Sequence, residues 1–310
     1  MFSTLSTVLP IFALIFAGWL VRRVGVLGPH ATTELNRFVV YLALPALLFD
    51  IVANAHPAEI WQPGFIAAFG LGCFAVFALT LLIRRRRPRH LADAAIDGLG
   101  AAYGNTGFMG FPLVLVAIGR DALAPTLVAT IITVSILFGV AIIMIEIGLQ
   151  TEKRRAHMIM KIVRRLIRNP LLMAPALGAL VPLAGATVPA SAETFLKLLG
   201  AAASPCALVA LGLFLAQKRE AGEREAKSTI LLVGFKLLLQ PAIVWLLAGF
   251  FGLPPLLSHT AVLLSALPTG TGPFMLAEFY RREAAVTSSV ILTSTILSLL
   301  TVSLYLYAAS

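Results

Sequence analysis

The sequence predicts an all-α membrane protein: ten transmembrane helices, arranged as two inverted five-helix repeats, with two broken helices that cross. Three observations carry this. First, the 310 residues are 59% hydrophobic and 12% charged, with a mean hydropathy of +0.94. That is more apolar surface than a water-soluble fold can hide. Second, all but two of the 24 basic residues fall in one alternating set of connections. Third, two glycine- and proline-rich interruptions recur in matching places of the two halves.

A helix needs about 20 apolar residues to cross the hydrocarbon core. Ten stretches qualify, at roughly 3–21, 37–55, 62–83, 94–118, 122–145, 166–186, 191–216, 229–251, 256–280 and 286–307. The first has no basic residue ahead of it, and Arg22 and Arg23 follow it. That order describes a spanning anchor and not a cleaved leader. The second carries a mid-helix proline, Pro45, in "YLALPALLFD", and the third ends at the basic run "RRRRPRH". The fourth contains "GNTGFMGFP", with Gly104, Gly107 and Gly110 ahead of Pro112. The fifth leads into the most basic connection of the chain, from Lys153 to Arg168, and the sixth leaves it. The seventh repeats the mid-helix proline as Pro205 in "GAAASPCALVALG". The eighth follows a further basic connection, with which Lys236 is counted. The ninth contains "ALPTGTGPF", with Pro268, Gly270, Gly272 and Pro273. The tenth closes the chain. Short connections leave no room for a soluble domain.

Excess lysine and arginine marks the cytoplasmic side. Only Arg120 and Lys197 lie in the opposite set of loops, so both termini are expected outside. The net charge of +10 is then a topology signal facing anionic lipid at a plasma (bacterial inner) membrane, and not a nucleic-acid surface. Two cysteines inside apolar segments, Cys73 and Cys206, are too few for a metal site and read as small hydrophobes. No cofactor, metal or catalytic motif is found: there is no P-loop, HExxH or GxSxG.

Pro45 and Pro205 lie 160 residues apart, and the two glycine-rich breaks 165–166 apart. Residues 1–150 and 151–310 are therefore read as two five-helix repeats. Five is odd, so the second repeat enters the membrane inverted, a transporter signature. In lipid, every backbone N–H and C=O needs an internal partner, and a break survives only within protein or beside a watery cavity. Glycine admits conformations closed to other residues, and proline cannot continue a helix interior. Each broken span is therefore two half-helices joined by an extended peptide. Where the peptides cross, half-helix N-termini offer N–H groups and partial positive charge to an anion. Asn105, Thr106, Gly107, Thr269, Gly270 and Thr271 are the candidate substrate-binding residues. Gly104, Gly110, Pro112, Pro268, Gly272, Pro273, Pro45 and Pro205 are the crossover and hinge residues. Glu278 is either a coupling acid or an ion-pair partner of Arg281 and Arg282. Asp97 favours the N-terminus of its helix.

At "LNRFVVYLALPALLF" (35–49), "GNTGFMGFPL" (104–113) and "ALPTGTGPFMLAEFY" (266–280) the chain resembles the auxin efflux carrier family, which includes plant auxin exporters and bacterial malonate transporters. The resemblance covers essentially the whole chain; the long cytoplasmic loop of the plant exporters is absent. It implies a fold like that of bile acid symporters and proton/sodium antiporters, with a scaffold part and a transport part moving as an elevator. It also implies that Asn105 contacts a substrate carboxylate, and that Pro112, Pro268 and Pro273 occupy crossover positions. Glu278 departs from the plant pattern, which has lysine there. The expected function is secondary transport of a small organic anion, a mono- or dicarboxylate. Its motive force is the membrane potential, a proton or sodium, and the carrier is expected to be a homodimer. The alternative is a membrane sensor or assembly subunit that binds a carboxylate without turnover.

Overall fold

The computed structural model describes residues 2–54, 61–85, 89–150, 163–164, 166–216 and 223–309. The described residues are helical throughout, with no strand. Sixteen α-helices follow in order. They are α1 (Phe2–Arg23), α2 (Ala31–Phe38), α3 (Leu44–Ala53), α4 (Pro63–Arg85), α5 (Leu91–Ala102), α6 (Phe111–Ala117), α7 (Leu123–Ile131) and α8 (Phe138–Gly148). Then come α9 (Pro170–Leu183), α10 (Ala190–Ala201), α11 (Ala203–Leu215), α12 (Glu223–Gly234), α13 (Gln240–Phe250), α14 (Pro255–Ser265), α15 (Gly272–Phe279) and α16 (Ala284–Ala309). Several join end to end. Six continuous runs among the described residues are long and apolar enough to cross a membrane: Ala31–Ala53, Pro63–Arg85, Arg120–Gly148, Ala190–Leu215, Glu225–Phe250 and Ala284–Ala308.

Three of the joints have one cause. Widened π-turns at Val39–Ala43, Thr106–Gly110 and Phe235–Leu239 each end two residues before a proline: Pro45, Pro112 and Pro241. A proline ring clashes with the carbonyl four residues back and supplies no N–H. Inserting a residue into the turn moves that carbonyl aside, so the helix continues through the proline. Pro205, in contrast, lies in the first turn of α11, where an N–H would have no helical partner in any case. The π-turn at Ile132–Leu137 precedes no proline.

The helices form two packed groups. In one, α1 lies along α11, and α3 against α9 and α10. The α1–α11 contact needs glycine: a Cβ on Gly212 would sit 2.0 Å from the Ile15 carbonyl oxygen, and one on Gly18 2.2 Å from that of Val209. Backbone-to-backbone approach of this kind is how apolar helices associate where the hydrophobic effect between them is absent. In the other group, α4, α5, α8 and α12 to α16 pack around the buried α5 and α14.

The basic connections at 151–162 and 217–222, and Arg86 and Arg87, lie outside the described residues. Two arginines of the "RRRRPRH" run are paired within the protein. Arg84 is 2% exposed and its Nε lies 3.0 Å from Asp97 Oδ2; Arg89 Nε reaches the same oxygen at 3.0 Å. Asp97 is correspondingly more than a helix-end charge: it is 1% exposed and holds two guanidinium groups. Arg89 also reaches Glu283 at 3.2 Å.

Candidate functional site

The stretches 94–118 and 256–280 are each divided. α5 stops at Ala102; Tyr103 is extended (φ −85°, ψ 93°), and helical winding resumes at Thr106. α14 stops at Ser265 and α15 starts at Gly272. The interrupting segments meet as a one-residue antiparallel bridge between Gly104 and Thr269. Asn105 N–H donates to the Pro268 carbonyl (2.9 Å), and Gly270 N–H to that of Tyr103 (3.0 Å). The backbone groups released by one break are thus taken up by the other, which is what a break within a bilayer requires.

Helix ends are satisfied by side chains of three neighbours. Thr269 Oγ1 donates to the Gly100 carbonyl at 2.7 Å, and Thr269 N–H donates to Ser294 Oγ at 3.1 Å. Gln240 Nε2 donates to the Ala102 carbonyl at 2.9 Å and to Cys73 Sγ at 3.2 Å. Lys236 Nζ donates to the Ser265 carbonyl at 2.5 Å and to Gln240 Oε1 at 2.7 Å. Lys236 is fully buried, whereas the charge pattern of the sequence groups it with a basic loop. The available signal is its spacing: Lys236 and Gln240 stand four apart on one face of an otherwise apolar run.

Beside the bridge lies a cavity of about 190 Å³. Asn105, Gly107, Gly270 and Thr271 line it, as do the hinge residues Gly104 and Gly272. Thr106 and Thr269 do not: Thr106 is 0% and Thr269 1% exposed, and the Thr269 hydroxyl is engaged inside the crossover. Of the remaining hinge residues, Gly110 is buried, with Leu264 and Leu267 side chains beside it. The Pro268 carbonyl accepts from Asn105 N–H, and Pro273 sits in the first turn of α15, as its missing N–H favours. Tyr103 and Thr130 add polar groups that sequence reasoning missed. The opposite wall is aliphatic, from Val39, Leu44, Leu47 and Ile51, with Ala203 and Ala207. The cavity therefore lies between the two groups of helices, with the bridge on one side and the α2–α3 run and α11 on the other. No charged side chain lines it among the described residues. Two helical starts lie beside it, that of α15 at Gly272 and that of the winding toward α6 at Thr106; such ends carry partial positive charge.

Away from the cavity, Arg282 forms a bidentate pair with Asp93 (2.7 and 2.5 Å), and the Asp93 hydrogen bonds hold its guanidinium above the ordinary arginine range. Glu278 instead lines a surface groove with Arg37 and Arg281. Tyr280 donates to Glu146 at 2.9 Å and accepts from Asn169 at 3.3 Å. No cluster of three potential metal ligands occurs among the described residues.

Residues 3–306 match a family model described as "Membrane transport protein". Among curated relatives, a Rhizobium meliloti (strain 1021) protein named "Putative malonate transporter" is 33% identical over 302 residues, covering 97% of this chain and 94% of the relative. A Methanothermobacter thermautotrophicus protein named "Uncharacterized transporter" is 28% identical over 304 residues, with 97% and 96% covered. The Arabidopsis thaliana protein named "Auxin efflux carrier component 8" is 22% identical over 358 residues, with 99% and 97% covered.

Proposed function

The chain belongs to the membrane transport protein family, and from that premise we propose that it is a secondary active carrier of a small organic anion, with the anion held at the crossover. The observation that carries this reading is the cavity between the two helix groups, floored by the Gly104–Thr269 bridge. Asn105 is the proposed carboxylate donor: its side chain makes no helix-cap hydrogen bond and it lines the cavity. Thr271 and the N–H groups at the start of α15 complete the anion's shell. The aliphatic wall suits the carbon body of a mono- or dicarboxylate, malonate- or auxin-like.

The proposed architecture is ten spans in two inverted repeats, residues 1–150 and 151–310, with both termini outside the plasma membrane. The 165-residue separation of the bridged residues Gly104 and Thr269 supports it, as does the parallel between the Ala31–Ala53 and Ala190–Leu215 runs, each with its proline. Alternating access is an elevator movement of the group holding the crossover against the group holding α1, α3 and α9 to α11. The largely aliphatic contact across the cavity supports such sliding, since few hydrogen bonds need to be broken there. The static group is the proposed homodimer contact.

Uptake of labelled malonate and of aromatic and aliphatic monocarboxylates into proteoliposomes, with and without an imposed potential, tests the proposal. Saturable uptake, weakened about tenfold or more in apparent affinity by Asn105→Ala, is the expected result. Saturable binding without flux for every acid tried would turn the reading to a sensor, and absence of binding would overturn it.

A further inference from the structure

Each first half-helix ends at the crossover with carbonyl groups that have no helical N–H to accept from, and each carries the negative end of a helix dipole. Two such ends converge here: α5 at Ala102 and α14 at Ser265. In carriers with broken helices these ends are where a coupling cation is commonly coordinated. In this chain they are already occupied. Lys236 Nζ is 2.5 Å from the Ser265 carbonyl oxygen and 2.7 Å from Gln240 Oε1, and the Gln240 amide reaches the Ala102 carbonyl at 2.9 Å. One side-chain pair, four residues apart on one helix run, clamps both ends.

The ammonium also adjoins the binding cavity. A Cβ built on Gly104 would lie 3.5 Å from Lys236 Nζ, and Gly104 is both a bridge residue and part of the cavity lining. Lys236 is 0% exposed, and among the described residues no acidic side chain forms an ion pair with it. A lysine this deep in an apolar bundle is costly, and three ammonium donors with no acceptor suit carbonyl ends.

We propose that Lys236 is a resident cation of the crossover: its ammonium does for the two helix C-termini what a bound sodium ion would otherwise do, so the anion site forms without sodium. Gln240 is the positioning residue that extends the clamp to the second helix end. The proposal rests on the carrier reading only for what the cavity binds; the state of the helix ends is independent of it.

The test is thermal melting of the purified full chain in detergent, with sodium chloride replaced stepwise by choline chloride at constant ionic strength. The wild type should melt at the same temperature throughout. Lys236→Ala and Lys236→Gln should melt lower in choline and rise as sodium or ammonium is added, because a cation that binds only the folded vacancy stabilises it by mass action. Malonate titration adds a second arm: wild-type affinity indifferent to sodium, the neutral variants weaker by about tenfold or more in choline, with partial recovery in sodium. Sodium stabilising the wild type, or neutral variants whose melting ignores cations, would overturn the proposal. If neither neutral variant folds, the wild-type curve decides. A wild type that binds no carboxylate would overturn the carrier reading, while the melting curves still decide the role of Lys236.

Discussion

The bridge makes one substitution unusually informative. Gly270→Ala adds a single methyl group at a position whose backbone lies outside the left-handed region, so any cost comes from space and not from conformation. A Cβ there would lie 2.8 Å from Tyr103 Cε1, 3.1 Å from Tyr103 Cδ1 and 3.4 Å from the Asn105 Cα. The first distance is well inside van der Waals contact, so the ring must move. Its retreat is limited, because Tyr103 is 7% exposed and packs against Phe138 with ring centroids 5.7 Å apart. Overpacking of this kind costs about 1–3 kcal/mol. The assay is a double-mutant cycle: melting of Gly270→Ala, Tyr103→Leu and the pair, with uptake measured on the same proteins and the parent. Gly270→Ala should be destabilising in the parent and nearly neutral in the Tyr103→Leu background, where the smaller, flexible side chain leaves room. Uptake should fall with the single variant, since Tyr103 lines the cavity. Equal costs of Gly270→Ala in both backgrounds would show that the methyl does not meet the ring, and would refute the close crossing of the two segments.

Other outcomes follow from single contacts. Asn105→Ala should weaken carboxylate binding by about tenfold or more, as expected when a hydrogen bond to a charged group is lost, with melting little changed; isothermal titration checks it. Asp97→Asn removes the charge facing Arg84 and Arg89 while keeping the shape. Breaking a buried pair in this way costs about 3–5 kcal/mol, so the yield of monodisperse protein after size-exclusion chromatography should collapse. Arg281 has φ +52°, at the αL position that ends α15, with Arg282 N–H closing on the Ala277 carbonyl at 2.7 Å. Replacing Arg281 with glycine should stabilise the protein by about 1 kcal/mol, read as a higher melting temperature.

The breaks at 103–105 and 266–271 are signalled in the sequence by the glycine- and proline-rich stretches at 104–112 and 268–273, because their cause is local. Glycine and proline act on their own residue and the preceding turn, so "GNTGFMGFP" announces an interruption wherever it is placed. The same holds for the prolines at 45 and 205. The membrane class is equally legible, since it depends on summed apolar area and not on any partner.

What each polar residue does at the crossover is decided by the tertiary structure. Asn105 and Thr271 line the cavity while Thr106 and Thr269 are buried away from it, although all four stand beside the same glycines. In sequence, Lys236 has the look of a loop cation and Asp97 of a helix-end charge. The first holds a carbonyl 29 residues away, and its partner Gln240 one 138 residues away. The second binds arginines from beyond its own helix. Composition and spacing fix where a chain must bend, because those energies are set within a turn. Which donor meets which acceptor depends on distant segments arriving at the same few ångströms, and that is a property of the packed fold.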